Sequence, residues 1–156
     1  MGLIDHRKLD HIDLMIATWM NRYGRLFLRY SLAIIFIWFG ALKPLGRSPA
    51  GDLATQTVYW IPPDIFLPIL GWWEVTIGVC LLFRPLLRAA ILLLFLQMIG
   101  TVMPLFILPE VCFTRIPFGL TLEGQYIVKN LIIISSALVI GGTVRQESNT
   151  ENSVKV

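Results

Sequence analysis

Residues 32–40 read LAIIFIWFG and residues 89–96 read AAILLLFL. Neither run offers a polar side chain at any helical position. A helix on the surface of a soluble domain keeps one polar face for water, and these two have none to turn outward. A helix that crosses a bilayer needs roughly 20 mostly apolar residues, because the hydrocarbon core is about 30 Å thick and a helix rises about 1.5 Å per residue. Followed outward, the two runs grow into candidate spans at residues 26–42 (LFLRYSLAIIFIWFGAL) and 86–108 (LLRAAILLLFLQMIGTVMPLFIL). Residues 65–83 (IFLPILGWWEVTIGVCLLF) and 122–144 qualify in the same way.

The composition agrees. The chain has 156 residues, 56% hydrophobic and 15% charged, with a mean hydropathy of +0.71. Soluble domains carry about 25% charged residues. Disorder needs low hydrophobicity and high charge, the reverse of this composition. Two cysteines do not make a disulfide scaffold. A net charge of +3 without a basic block or an aromatic-basic pattern gives no footing for nucleic acid. The expected fold class is all-α: an integral membrane four-helix bundle over residues 23–145, preceded by an amphipathic interfacial helix over 1–22 and followed by a disordered polar tail over 146–156.

The charges set an expected orientation. Arg7, Lys8, Arg22, Arg25, Arg29, Arg84, Arg88, Arg145 and Lys155 fall on one side of the four spans; Lys43, Arg47 and Arg115 fall on the other. Basic residues favour the cytoplasmic side, so both termini are expected inside. In the segment LDHIDLMIATWMNRYG, Leu9, Ile12, Met15, Ile16, Trp19 and Met20 recur at helical spacing, the pattern of a helix lying in the inner interface. An ordinary helix packed on a partner has the same pattern. The N-terminus lacks the features of a signal peptide. Arg84-Pro85 predicts a tight hairpin between spans two and three. The two outer connections are rich in proline and aromatic residues.

Ionisable residues at membrane depth cost about 2.5–3.5 kcal/mol on insertion scales, so each needs a reason. Glu74 lies roughly 15 Å and Lys129 roughly 11 Å along their spans from the outer side. Gln97 lies near the middle of span three, and Lys43 ends span one at the outer boundary. Gly71, Glu74 and Gly78 share a helix face that permits close approach. Gln97 shares one with Thr101 and Pro104, and Lys129 with Gln125 and Ser136. These faces are expected to point into the bundle, with Trp73 or Trp72 beside the cluster. One reading is a structural Glu74–Lys129 ion pair that fixes helix register. The other is a site for a ligand, a quinone or a proton, framed by Glu74, Lys129, Lys43, Gln97 and Trp73.

Other chemistry is disfavoured. His6 and His11 both precede span one, so bis-histidine haem within the bundle is excluded. No metal site is expected, for want of HExxH, Cys/His clusters or carboxylate-rich sets. Cys80 and Cys112 are expected about 20 Å apart, beyond disulfide reach. Cys112 is expected to be an interfacial, semi-buried thiol, with a reactive outer thiol as the alternative. No phosphate loop or nucleophile elbow occurs.

The sequence resembles the DoxX-like superfamily of small four-helix membrane proteins. The similarity runs over about residues 23–143. It rests on RYSLAIIFIWFGALK, with Gly40 and Lys43 closing span one, on WWEVTIGVCLL, with Glu74 and Gly78, and on YIVKNLIIISSALVI, with Lys129. The closest flavour is a branch that includes an inner-membrane protein of reactive-chlorine resistance. Pro44 follows Lys43 where relatives often carry an aromatic residue, and Asn130 follows Lys129 where some carry Asp. The resemblance implies a bacterial inner-membrane four-helix bundle linked to redox homeostasis, to a thiosulfate:quinone oxidoreductase, or to assembly of membrane complexes. Three functions are carried forward. The first is a non-catalytic subunit or assembly factor of a membrane redox complex, whose expected partners are membrane lipids and a larger membrane protein complex or a homo-oligomer. The second is a quinone-linked oxidoreductase subunit with quinone or lipid, and no covalent cofactor, at the polar cluster. The third is a small transporter or proton path.

Overall fold

A computed structural model describes the backbone over residues 6–154 and the side-chain surroundings over residues 9–142. The protein is largely helical: α1 (His6–Leu42), α2 (Gly51–Thr57), α3 (Pro63–Leu82), α4 (Leu87–Val102), α5 (Pro104–Ile107), α6 (Pro109–Cys112) and α7 (Leu122–Val154). Two short strands, β1 (Phe113–Arg115) and β2 (Gly119–Leu120), pair antiparallel before α7. Four helices are long and apolar enough to cross a membrane, at Leu9–Leu42, Pro63–Leu82, Arg84–Ile107 and Leu122–Gly142.

The ends of these helices follow local chemistry. Pro62 precedes α3 and Pro63 opens it, with Asp64 in the first turn. Proline suits the first helical turn because its missing N–H has no partner there, and a carboxylate favours the positive end of the helix dipole. Beyond Leu42, Gly46 adopts φ +66°. Its N–H reaches the Lys43 carbonyl and the Arg47 N–H reaches the Leu42 carbonyl, both at 3.0 Å. These are the paired bonds of a Schellman stop, which needs a left-handed residue where glycine carries no Cβ penalty. A 3₁₀ turn at Arg84–Leu86 makes the expected hairpin between α3 and α4.

Three elements differ from the sequence expectation. No break separates the amphipathic segment from the first span: α1 is continuous for 37 residues, about 55 Å at helical rise. The junction Asn21-Arg22-Tyr23-Gly24-Arg25 holds no proline, and a single glycine weakens a helix only by about 1 kcal/mol. Residues 1–5 of that segment lie outside the described residues. The third span is interrupted at Met103, because Pro104 has no N–H to continue the ladder. The helical backbone of α7 carries on to Val154 where a disordered tail is expected. No proline or glycine follows Gly142 to stop it.

α1 lies along α3, α3 packs on α4, α4 on α7, and α7 closes back on α1. One apolar core joins them, with Leu32, Ala33 and Phe36 of α1, Ile77 and Leu81 of α3, Leu87, Ala90, Leu94 and Met98 of α4, and Ala137 and Ile140 of α7. Each spanning segment is only 22–28% buried. The remaining surface is apolar, including Phe27, Ile34, Trp38, Trp72, Leu92, Ile99, Ile132 and Leu138. Soluble monomers do not expose contiguous apolar area of this kind; an outer surface of this composition suits hydrocarbon.

Candidate functional site

The closest helix contact is built on glycine. A Cβ on Gly40 would meet the Gly71 carbonyl oxygen at 2.8 Å, and one on Gly71 would meet the Gly40 oxygen at 2.6 Å. A Cβ on Gly78 would lie 2.8 Å from the Ala33 oxygen. Backbone thus meets backbone between α1 and α3, which only small residues permit. The close approach also brings the side chains one turn further along each helix within reach of each other.

There Lys43 Nζ donates to Glu74 Oε2 at 2.5 Å. Gln97 Nε2, from α4, donates to Glu74 Oε1 at 2.6 Å. Both carboxylate oxygens therefore have a donor, one of them charged. Lys43 and Glu74 are 7% and 9% exposed. A carboxylate this buried is tolerable only when paired and hydrogen-bonded. Gln97 Oε1, on the same amide, and Trp73 Nε1, on the residue before Glu74, are buried without a partner.

Of the five residues singled out from the sequence, Lys43, Glu74 and Gln97 meet, and Trp73 lies half-buried against the core. Lys129 stands apart. It is exposed, and its ammonium rests over the Tyr126 ring, 5.2 Å from the centroid. The expected Glu74–Lys129 pair is replaced by Glu74–Lys43. The buried stripe of α7 contains Ile127 and Ala137. At 3.6 residues per turn, Lys129 is turned about 200° from Ile127. Gln125 is exposed as well, while Ser136 is buried, so the shared face expected of these three holds only at the Ser136 end.

Arg29 is the residue that sequence reasoning missed. It is 7% exposed. Its Nη2 donates to the Leu82 carbonyl and to Tyr30 Oη, both at 3.2 Å, and its guanidinium stacks on the Tyr30 ring at 4.9 Å. Arg29 Nε is buried without an acceptor. The sequence holds a signal for this. Arg29, Ala33, Phe36, Gly40 and Lys43 follow one another at spacings of 4, 3, 4 and 3, the rhythm of a single helix face. That stripe carries a cation at each end.

Cys112 is fully buried at the end of α6. Burial first, then the nearby carboxylates of Glu123 and Glu110, raises its thiol pKa above the ordinary value. Cys80 is also a free thiol. Among the described residues, no group of His, Cys, Asp and Glu is placed to hold a metal ion. Comparisons with protein-family models, curated proteins and solved structures find nothing that matches this chain.

Proposed function

We propose that the chain is a DoxX-like membrane four-helix bundle, with both termini on the cytoplasmic side of a bacterial inner membrane, that serves as a non-catalytic subunit or assembly factor of a larger membrane redox complex. The observation that carries this reading is Lys129. It sits seven residues into α7, about 10 Å along the axis, on an exposed face. Among the described residues no carboxylate pairs with it. An unpaired ammonium facing outward from a spanning helix is costly in hydrocarbon. A carboxylate on a neighbouring transmembrane helix would remove that cost. The interior supports the same reading: Lys43 and Gln97 occupy both carboxylate oxygens of Glu74 instead of leaving its charge open for chemistry.

The test is photo-cross-linking in native membranes. A cross-linker at Leu122, exposed two turns before Lys129 on the same face of α7, should capture one discrete partner at high yield. One at Trp72, on the exposed side of α3, should not. Lys129→Leu should abolish the Leu122 adduct. Equal adducts from both positions, or an adduct indifferent to Lys129, would refute the docking role.

A second reading, a quinone-linked subunit, is favoured by one observation. Trp73 Nε1 is an unused buried donor and Gln97 Oε1 an unused buried acceptor, the complement of a quinol head. Quinone turnover that survives both Trp73→Phe and Gln97→Leu would eliminate it.

A further inference from the structure

Among the described residues, Arg29 is the one buried cation without a carboxylate partner. Lys43 has Glu74. Arg29 has a backbone carbonyl, a phenol and an aromatic face, and its Nε–H has no acceptor. A buried guanidinium without an anion is expensive, and its hydrogen bonds are strongest to an ionised acceptor such as phosphate.

The surroundings supply no carboxylate. No Asp or Glu occurs in residues 14–51, 75–109 or 124–146. Glu74 is engaged by Lys43 and Gln97 and lies eight residues, about 12 Å of helix, from Leu82. Arg22 and Arg25, within two turns of Arg29 on the same helix, are exposed, as is Arg88. Among the described residues, the nearest exposed charges along α1 are therefore positive.

An apolar groove begins at the next residue. Leu28 of α1, with Leu131, Ile132, Ser135, Ser136 and Val139 of α7, lines an open cleft of about 320 Å³. Its two hydroxyl donors are already used, since Ser135 donates to the Leu131 carbonyl at 2.9 Å and Ser136 to the Ile132 carbonyl at 2.7 Å. The groove is thus a surface for an alkyl chain. Leu28 and Arg29 are adjacent, with Cα atoms about 3.8 Å apart, so one amphiphile can reach both.

We infer that the Arg29 end of the α1–α7 groove is a binding site for an anionic phospholipid. A phosphate oxygen accepts from the Arg29 guanidinium, the neighbouring arginines hold the net negative head, and one acyl chain lies in the groove along α7. The inference rests on the membrane reading and is independent of partner docking.

The test uses the full-length protein in nanodiscs of phosphatidylcholine with and without phosphatidylglycerol, read by native mass spectrometry and by thermal unfolding. Both lipids carry a phosphate, so the preference rests on net charge: wild type should retain phosphatidylglycerol about tenfold over phosphatidylcholine, whose choline cation is repelled by the surrounding arginines. Its unfolding temperature should rise with added phosphatidylglycerol, because a ligand of the folded state stabilises it by mass action. Arg29→Gln should lose both effects. Val139→Trp fills the groove and keeps Arg29, and should lose retention even if Arg29→Gln fails to fold. Inorganic phosphate, which has no chain, should not displace the lipid. Equal retention of the two lipids, retention unchanged in Val139→Trp, or displacement by inorganic phosphate would each overturn the site. Failure to enter either nanodisc would sink the membrane reading with it.

Discussion

Lys43 Nζ, on the residue that follows α1, donates to Glu74 Oε2 in the middle of α3 at 2.5 Å. The two charges are the only described ion pair, and both are almost wholly buried. Such a pair costs little while whole and much when halved. Lys43→Met alone should destabilise the protein by about 3–5 kcal/mol, because it leaves a buried carboxylate with only the Gln97 amide. Lys43→Met combined with Glu74→Gln should recover most of that loss. Thermal unfolding of the single and double variants in mild detergent measures the coupling. Additive losses would show that the pair is not an energetic unit.

The glycine contact gives a steric prediction. Gly71→Val should force α1 and α3 apart, since its Cβ would sit 2.6 Å from the Gly40 oxygen. Overpacking of this kind costs about 1–3 kcal/mol or more. Gly100 has nothing within 4 Å of an added Cβ. Gly100→Ala should therefore be neutral or stabilise by up to about 1 kcal/mol through helix propensity. Comparing the two unfolding temperatures checks it.

Cys112 should be slow to react. Its raised pKa, caused first by burial and then by Glu123 and Glu110, keeps the thiol neutral at pH values where an ordinary cysteine is partly thiolate. Labelling by a water-soluble maleimide should lag a free thiol at neutral pH, and its rate should climb only above the ordinary thiol range. Glu123→Gln with Glu110→Gln removes two negative neighbours, so it should move the rate profile to lower pH. A profile that does not move would assign the whole shift to burial.

Lys129 should behave opposite to Lys43. Its one described contact is the Tyr126 ring, and an exposed cation–π contact contributes about 0.5–1 kcal/mol. Lys129→Leu should change the stability of the isolated protein by no more than about 1 kcal/mol, measured by the same unfolding assay. A loss as large as that of Lys43→Met would place Lys129 in the core network.

Two different kinds of information divide this protein. Hydropathy and helical period lie along the chain, so the sequence by itself determined four apolar segments of spanning length, the Arg84–Leu86 hairpin and the Gly71–Glu74–Gly78 face. It also picked out Lys43, Glu74 and Gln97 as polar groups needing partners. Which group answers which is a property of helix order and rotation. α3 packs between α1 and α4, so Glu74 finds Lys43 and Gln97, while the Ile127 stripe turns Lys129 outward. A chain can count how deep a charge lies, because depth is residues times rise. It cannot count which neighbour that charge faces, because that depends on the contact between backbones at Gly40 and Gly71. The same packing decided the fate of Arg29: its place on the Ala33–Phe36–Lys43 stripe is legible in the sequence, and only the end of α3 beside it made it a buried cation.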